Sequence, residues 1–410
     1  MSNVVDVLNE GAIATESTKK LSIRGELKSV QVYKIPIDLL FYNSQNDRIA
    51  TWISKYQSEF GNINELGRKE FNEIIEQSII RSNKGAYEKT KNNIKALGQR
   101  EAGVVLADGR IIDGNRRFTC LRNLYEETKD QSFYYFEAVI LDNEINEREI
   151  KILELELQHG QDEKVDYNPI EKLVGIYNDV IKKKILTAEE YAKSIDIKPS
   201  EMNKYVKVAQ IMTDFLEYIN AKEEFYIARE LEIDGPIHEI YNIQQKLAND
   251  EDKWAKARVV LYDNMLMKTS GELTGDITRT IRKLGQDILK TDAFDNYFEG
   301  HIKYSEKINE KLYKDDSMVN TEFIRKEIRE DDKLREEMKN FLDDAVLESR
   351  KERARVIPVD MIENINEDLH KIDVLAVSKL TGEDKEKFKT ELDSLKKQIA
   401  IIEGKINETI

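Results

Sequence analysis

The sequence predicts an α+β amino-terminal third followed by an all-α remainder, and three observations carry that reading. LKSVQVYKIPIDLL (Leu27 to Leu40) alternates apolar and polar residues like a strand and loses its regularity at Pro36. Asp108-Gly109, between the short runs Val104 to Leu106 and Arg110 to Ile112, is a strong two-residue hairpin turn. From Asn146 onward the apolar residues recur almost only at helical spacing.

The other elements follow in order. The first 25 residues are polar and weakly patterned, which predicts a loose segment. Residues Ile49 to Gln99 read as three helices, IATWISKYQSEF, INELGRKEFNEIIEQSII and YEKTKNNIKALG, the last closed by Gly98. A helix is expected from Arg116 to about Thr128, and FYYFEAVIL (Phe133 to Leu141) reads as a buried strand. The expected domains are a flexible 1–25, an α+β domain 26–160, helical domains 161–235 and 236–360, and a helical hairpin or coiled coil 361–410. In the last of these, Phe388, Leu392, Leu395, Ile399, Ile402 and Ile406 recur by fours and threes, and Ile365, Leu369 and Ile372 offer a similar stripe. The repeat is short, so a hairpin within one chain and a dimer zipper both remain open. The dense charge between about 300 and 360 (KLYKDDSMV, KEIREDDKLREEMK) reads as solvated helix face.

Composition narrows the function classes. A formal charge of −15 argues against whole-surface affinity for nucleic acid, so any DNA contact must come from a local patch. No apolar run approaches the roughly 18 residues of a membrane span. The amino terminus also lacks a basic flank with an apolar core, which predicts a cytoplasmic protein without membrane contact. A single cysteine, Cys120, excludes an internal disulfide, and the four histidines are too far apart in sequence for ligand-like spacing.

One stretch carries chemistry: VVLADGRIIDGNRRFTCLR, Val104 to Arg122. A strand ending at Ile112, a tight Asp113-Gly114-Asn115 turn and a helix from Arg116 leave backbone N–H groups unpaired at the helix start. Those donors and the positive end of the helix dipole favour an anion. Gly114 lets a phosphate approach without a Cβ in the way. Arg116 and Arg117 add planar guanidiniums suited to phosphate oxygens. The competing reading is plain: Asp113 caps the helix and both arginines pair with surface carboxylates.

Further along, AEEYAKSIDIKPSEMNKY (Ala188 to Tyr205) has the pattern of a helix-turn-helix. Thr187 and Glu190 form a capping box, Ala192 is the small residue between the helices, and Pro199 opens the second helix. Tyr191, Ile195, Ile197, Met202 and Tyr205 fall at core positions. Lys198, Ser200, Asn203, Lys204 and Lys207 are then the expected contacts to double-stranded DNA, with Lys182, Lys183 and Lys184 near for phosphates. Residues 170–215 hold eight lysines against seven acids, so the patch is barely basic and weak or assisted binding is expected. An ordinary helical hairpin is the alternative.

GQREAGVVLADGRIIDGNRRFTCLR (Gly98 to Arg122) resembles the glycine-glutamate-arginine-arginine box of the ParB/sulfiredoxin superfamily. YKIPIDLLFYNSQNDR (Tyr33 to Arg48) looks like the first ParB box, and LELELQHGQDEKVDYNPIEKLVGIYNDVI (Leu153 to Ile181) like the third segment and its linker. Together these cover about residues 27 to 215 in the family's order. The resemblance implies a ParB-type domain that binds CTP or another nucleoside triphosphate, followed by a helix-turn-helix. Gly114, Asn115, Arg116 and Arg117 fall in the box, Arg48 ends the first box, and Glu154 or Glu156 matches the acidic position that helps hold magnesium. Asn115 stands where ParB has Glu, and where sulfiredoxins place their catalytic cysteine. Thr119-Cys120 replaces the box's later Arg-Ala, and residues 49–84 exceed the usual connection. These departures leave the nucleotide and its hydrolysis open.

The expected function is a ParB-like, nucleotide-responsive, homodimeric DNA-binding protein of a partition, mobile-element or phage-defence system. One alternative is a ParB-fold enzyme, a CTPase-like NTPase or a nuclease, whose metal would fall to Asp108, Asp113, Glu154 and Glu156. Another is a helical adaptor with a vestigial site that recruits protein partners through its carboxyl-terminal helices.

Overall fold

In the computed structural model, residues 11–142, 145–159, 168–268, 276–291, 293–314 and 319–407 are described. The chain divides into two compact units, Met1–Asp343 and Asp344–Ile410. The division falls at Asp343, whereas the expected boundaries are at residues 160, 235 and 360.

The first unit opens with a hairpin. β1 (Ile13–Ile23) pairs antiparallel with β2 (Glu26–Pro36) through Arg24 and Gly25, both with left-handed φ, 56° and 78°. This corrects the expectation of a loose 1–25, of which residues 1–10 lie outside the described residues. β1 is an edge strand exposed along most of its length, so its polar residues need no apolar alternation and give no strand signal.

After β2 come α1 (Ala50–Phe60), α2 (Arg68–Ser82) and α3 (Lys84–Leu97), the three expected helices. α2 starts five residues later than INELG suggests, because Ile63–Glu65 forms a separate 3-10 turn and Gly67 sits at the cap. β3 (Gly103–Leu106) and β4 (Ile111–Asp113) form the expected hairpin, α4 (Asn115–Thr128) follows, and β5 (Tyr135–Leu141) closes the sheet in the order β1-β2-β5-β3-β4. Among the described strand pairs only β3–β5 is parallel.

The alternation of the strands makes three layers. Ile35, Val105, Ile111, Phe136 and Ala138 pack toward α1–α4, around Phe118 and Leu124. Val32, Val104, Ile112, Val139 and Leu141 face the other way, against Leu153 of α5 (Glu147–His159).

α6 (Pro169–Ile176), capped by Asn168, runs into a π-helical turn, Tyr177–Lys182. α7 (Ala188–Ser194) carries the reciprocal Thr187–Glu190 capping box. Asp196, at φ 53°, turns the chain into α8 (Pro199–Tyr218). Tyr191, Ala192, Ile195 and Met202 are buried between the two helices and their neighbours. Residues 160–167 of the third ParB-like segment, and 315–318 of KLYKDDSMV, lie outside the described residues.

The rest of this unit is helical: α9 (Phe225–Glu230), α10 (Asp234–Lys246), α11 (Glu251–Met267), α12 (Ile277–Lys283), α13 (Ala293–Leu312) and the short α14 (Thr321–Phe323). α15 (Asp332–His370) crosses the division, and α16 (Val374–Ser378) and α17 (Gly382–Asn407) complete the second unit. Leu392, Ile399, Ile402 and Ile406 of α17 are 38% to 59% exposed, and Phe388 and Leu395 are half-buried. Among the described residues no helix is long and apolar enough to cross a membrane.

Candidate functional site

The handover from β4 to α4 is made by Gly114, at φ 95° and ψ 16°. A Cβ there would lie 2.9 Å from Phe136 Cζ and 3.1 Å from Arg117 Nη2, so both backbone conformation and space demand glycine. No side chain caps α4. The first helical bond is Phe118 N–H to the Gly114 carbonyl, 2.9 Å. The amides of Asn115, Arg116 and Arg117 find no hydrogen-bond partner among the described residues, which leaves three donors at the positive end of the helix.

The two arginines behave differently. Arg117 donates from Nη1 to Glu101 (2.8 Å) and from Nη2 to Asp113 (3.0 Å), and Asp113 also pairs with Lys19 at 3.4 Å. For Arg117 the carboxylate-pairing reading holds, and its charge is neutralised; Asp113 serves as its partner and does not cap the helix. Among the described residues, two buried atoms here stay without a partner, Arg117 Nε and Asn115 Oδ1.

Arg116 forms no ion pair and no side-chain hydrogen bond among the described residues, and neither does the Arg48 guanidinium. Both are half-buried. Burial, and then the Arg48 charge, hold the Arg116 guanidinium below its ordinary pKa range. The two like charges repel each other and have no counter-ion among the described residues, so an anion reached by both would relieve that repulsion and could accept from the open amides. The residues fit a phosphate group.

Arg48 sits in a 3-10 turn, Asp47–Ile49, capped by Asn46. Asp47 reaches back into a buried charge cluster that sequence reasoning did not anticipate. Lys151 Nζ of α5 lies 2.8 Å from Asp47, 3.0 Å from Asp179 of the π-helical turn and 3.5 Å from Glu154. The Lys151 side chain is 6% exposed. Burial opposes its charge, but the three carboxylates outweigh that and hold the ammonium above its usual range. Burial likewise raises Glu154 and Asp179. Asp47 fits so closely under α6 that a Cβ on Gly175 would come within 2.7 Å of its Oδ2.

This arrangement bears on magnesium. Glu154 converges with two other carboxylates, but the centre of that group is taken by an ammonium. Glu156 is two residues along α5, about 200° around the helix. The two glutamates do not fit a shared metal ion. Asp108 accepts the Arg110 amide (2.9 Å) in the hairpin turn, an ordinary turn role.

A second clamp holds the start of α1. Glu171 of α6 accepts from Thr51 N–H at 3.0 Å, from the Thr51 hydroxyl, and from Arg229 Nη1 at 3.1 Å. Burial pushes the Glu171 carboxyl up to about 7, against those bonds. Arg229 also lies over the Trp52 ring, 4.7 Å from its centroid.

On α8, Ser200, Asn203 and Lys207 are exposed and share one face by their spacing, with Lys198 exposed at the helix start. Lys204 is drawn aside, its ammonium 5.8 Å from the Tyr241 ring centroid on α10. Cys120 is fully buried, and burial raises its thiol to about 12, as a small core residue requires.

No known family's model matches the chain, and no curated protein matches it.

Proposed function

We propose that this chain is a ParB-like protein that takes up the phosphates of a nucleoside triphosphate at the start of α4 and contacts double-stranded DNA through the exposed face of α8. The observation that carries the reading is the half-buried Arg116 guanidinium, without an ion pair among the described residues, on a helix start with three open amides, and subject to the Arg48 charge. In a chain of net charge −15, cations without carboxylate partners need a reason. CTP is the nucleotide that the ParB resemblance favours.

The chain's own residues then act in definable ways. The Asn115–Arg117 amides and the α4 dipole fix one phosphate, and Arg116 and Arg48 neutralise its charge. Arg117 orients the turn through Asp113 and Glu101. No step is assigned to a metal, because Lys151 fills the place among the carboxylates that converge with Glu154. Hydrolysis is therefore no part of the reading. A role for residues 344–410 in pairing two chains is supported by the open apolar stripe of α17.

Thermal denaturation with CTP, ATP and GTP tests the site. A ligand at a hundredfold excess over its Kd stabilises by about 2.7 kcal/mol. Arg116→Ala is expected to abolish the shift and Arg48→Ala to reduce it strongly, whereas an undiminished response in Arg116→Ala refutes the assignment.

A further inference from the structure

The geometry points to a second anion site, separate from the α4 seat: a cleft of about 930 Å³ that binds a small phosphorylated molecule through Arg68, Arg110 and Lys183. The cleft lies within the first compact unit. The loop Phe41 to Gln45 that follows β2 lines it. One wall is α1 with the start of α2, and the other is the π-helical turn with the segment Lys222 to Phe225. None of Arg48, Gly114, Asn115, Arg116 or Arg117 lines it. The inference goes beyond the proposed nucleotide seat and does not depend on it.

The charge balance inside the cleft sets its chemistry. Of its carboxylates, Asp47 and Asp179 are held by Lys151 from beneath, and Glu223 is held by Lys182 and the Tyr177 hydroxyl. Burial raises the Glu224 carboxyl above its ordinary range. The cations are less well served. Arg110 lies 3.9 Å from Asp108 at its closest, and its buried Nε has no hydrogen bond among the described residues. Arg68 rests on the Phe41 ring, 4.8 Å from its centroid, and among the described residues its one hydrogen bond is to the Leu39 carbonyl at 3.5 Å. Lys183 forms no ion pair among the described residues. Three cations thus line a concave space in which, of the four acids, Asp47, Asp179 and Glu223 are engaged by cations and Glu224 keeps Oε2 without a hydrogen bond among the described residues.

Size and lining agree with a compact polar ligand. The volume falls in the ~300–1,000 Å³ range of small-molecule sites. Asn43 is buried in the lining; among the described residues its side chain accepts the Gln45 amide at Oδ1 and its N–H₂ donors have no partner. Arg110, Asn43 and Gln45 also line a smaller cavity of about 320 Å³, which extends the polar surface. Phe41, Phe71 and Phe225 give an apolar rest for the body of such a molecule. A π-helical turn forming one wall is in keeping with the frequency of such turns at functional sites.

The test is calorimetric titration of the full chain with inorganic pyrophosphate, carried out in the Arg116→Ala background so that the α4 seat is silent. Binding is expected to persist there and to weaken at least tenfold when Arg68→Gln and Lys183→Gln are added; both residues are exposed, so the fold should tolerate them. Arg110→Gln should weaken it by itself. The proposal is overturned if the Arg116→Ala chain binds no pyrophosphate, or if its binding is indifferent to the cleft substitutions. Failure of the α4 reading gives a different result, an Arg116→Ala chain whose CTP response equals that of the wild type.

Discussion

Lys151 Nζ lies 2.8 Å from the Asp47 carboxylate, and so the residue next to Arg48 is fixed by a cation from the opposite side of the sheet. The same ammonium holds Asp179 of the π-helical turn, which leads toward α7 and α8. One buried lysine thereby ties the turn that presents Arg48 to the segment that precedes the helical pair. Removing one partner of a buried ionic group leaves the other charges uncompensated and typically costs roughly 3–5 kcal/mol. Lys151→Met keeps the length and removes the charge. It should destabilise the chain by that order in urea titrations, while Lys151→Arg, too large for the site but charged, should lose less. Equal stability of Lys151→Met and wild type would show that the cluster is not held by the ammonium.

Glu171 offers a pH-dependent counterpart. Its carboxyl has an ordinary value of 4.5 and is raised to about 7 in the folded chain by burial. The folded state therefore binds this proton more tightly than the unfolded state. The resulting stability is complete below about pH 4.5 and is lost as pH rises through about 7. The difference corresponds to about 3 kcal/mol across the window. Glu171→Gln carries no titrating proton, so its stability relative to wild type should improve by about that amount between the two ends of the window. A constant difference between the two proteins across pH would rule this titration out.

Much of the fold was legible because local chemistry dictated it. Asp108-Gly109 announces the β3–β4 hairpin, Thr187 with Glu190 announces α7, and Asp113-Gly114-Asn115 announces the tight turn into α4. β1 was not legible, since an edge strand wetted on most of its length carries no alternation. At the site, Arg116 could be singled out but not told apart from Arg117, because the carboxylates that claim Arg117 include Glu101, fixed beside it only by tertiary structure. Lys151 was invisible for a related reason. In KILELEL it reads as one more solvated charge, and only the convergence of Asp47, Glu154 and Asp179 from elements far apart in sequence makes it a core residue.

The α8 face makes a sharper statement about DNA than its residue count does. Ser200, Asn203 and Lys207 project together, whereas Lys204 leans on Tyr241. Lys207→Ala should therefore weaken binding to duplex DNA and lower the slope of log affinity against log salt by about 1. Lys204→Ala should do less. Fluorescence anisotropy over a salt series reads both, and a larger effect from Lys204 than from Lys207 would count against this docking face.

The second unit poses a question of partnership. Leu392, Ile399, Ile402 and Ile406 recur at a coiled-coil spacing on α17, yet each is more than a third exposed in the single chain. Ile365, Leu369 and Ile372 are exposed to a similar degree. A stripe of this kind, left open to water, is what a second copy of the chain would cover. Full-length protein is therefore expected to sediment as a dimer at micromolar concentration. Leu392→Glu together with Ile399→Glu places charges in the seam, where like charges face each other across a symmetric pair, and should yield monomers. Both positions are already exposed, so the fold of the first unit should be unaffected, and its thermal transition checks that. A wild-type chain that sediments as a monomer would assign the stripe to some contact other than self-pairing.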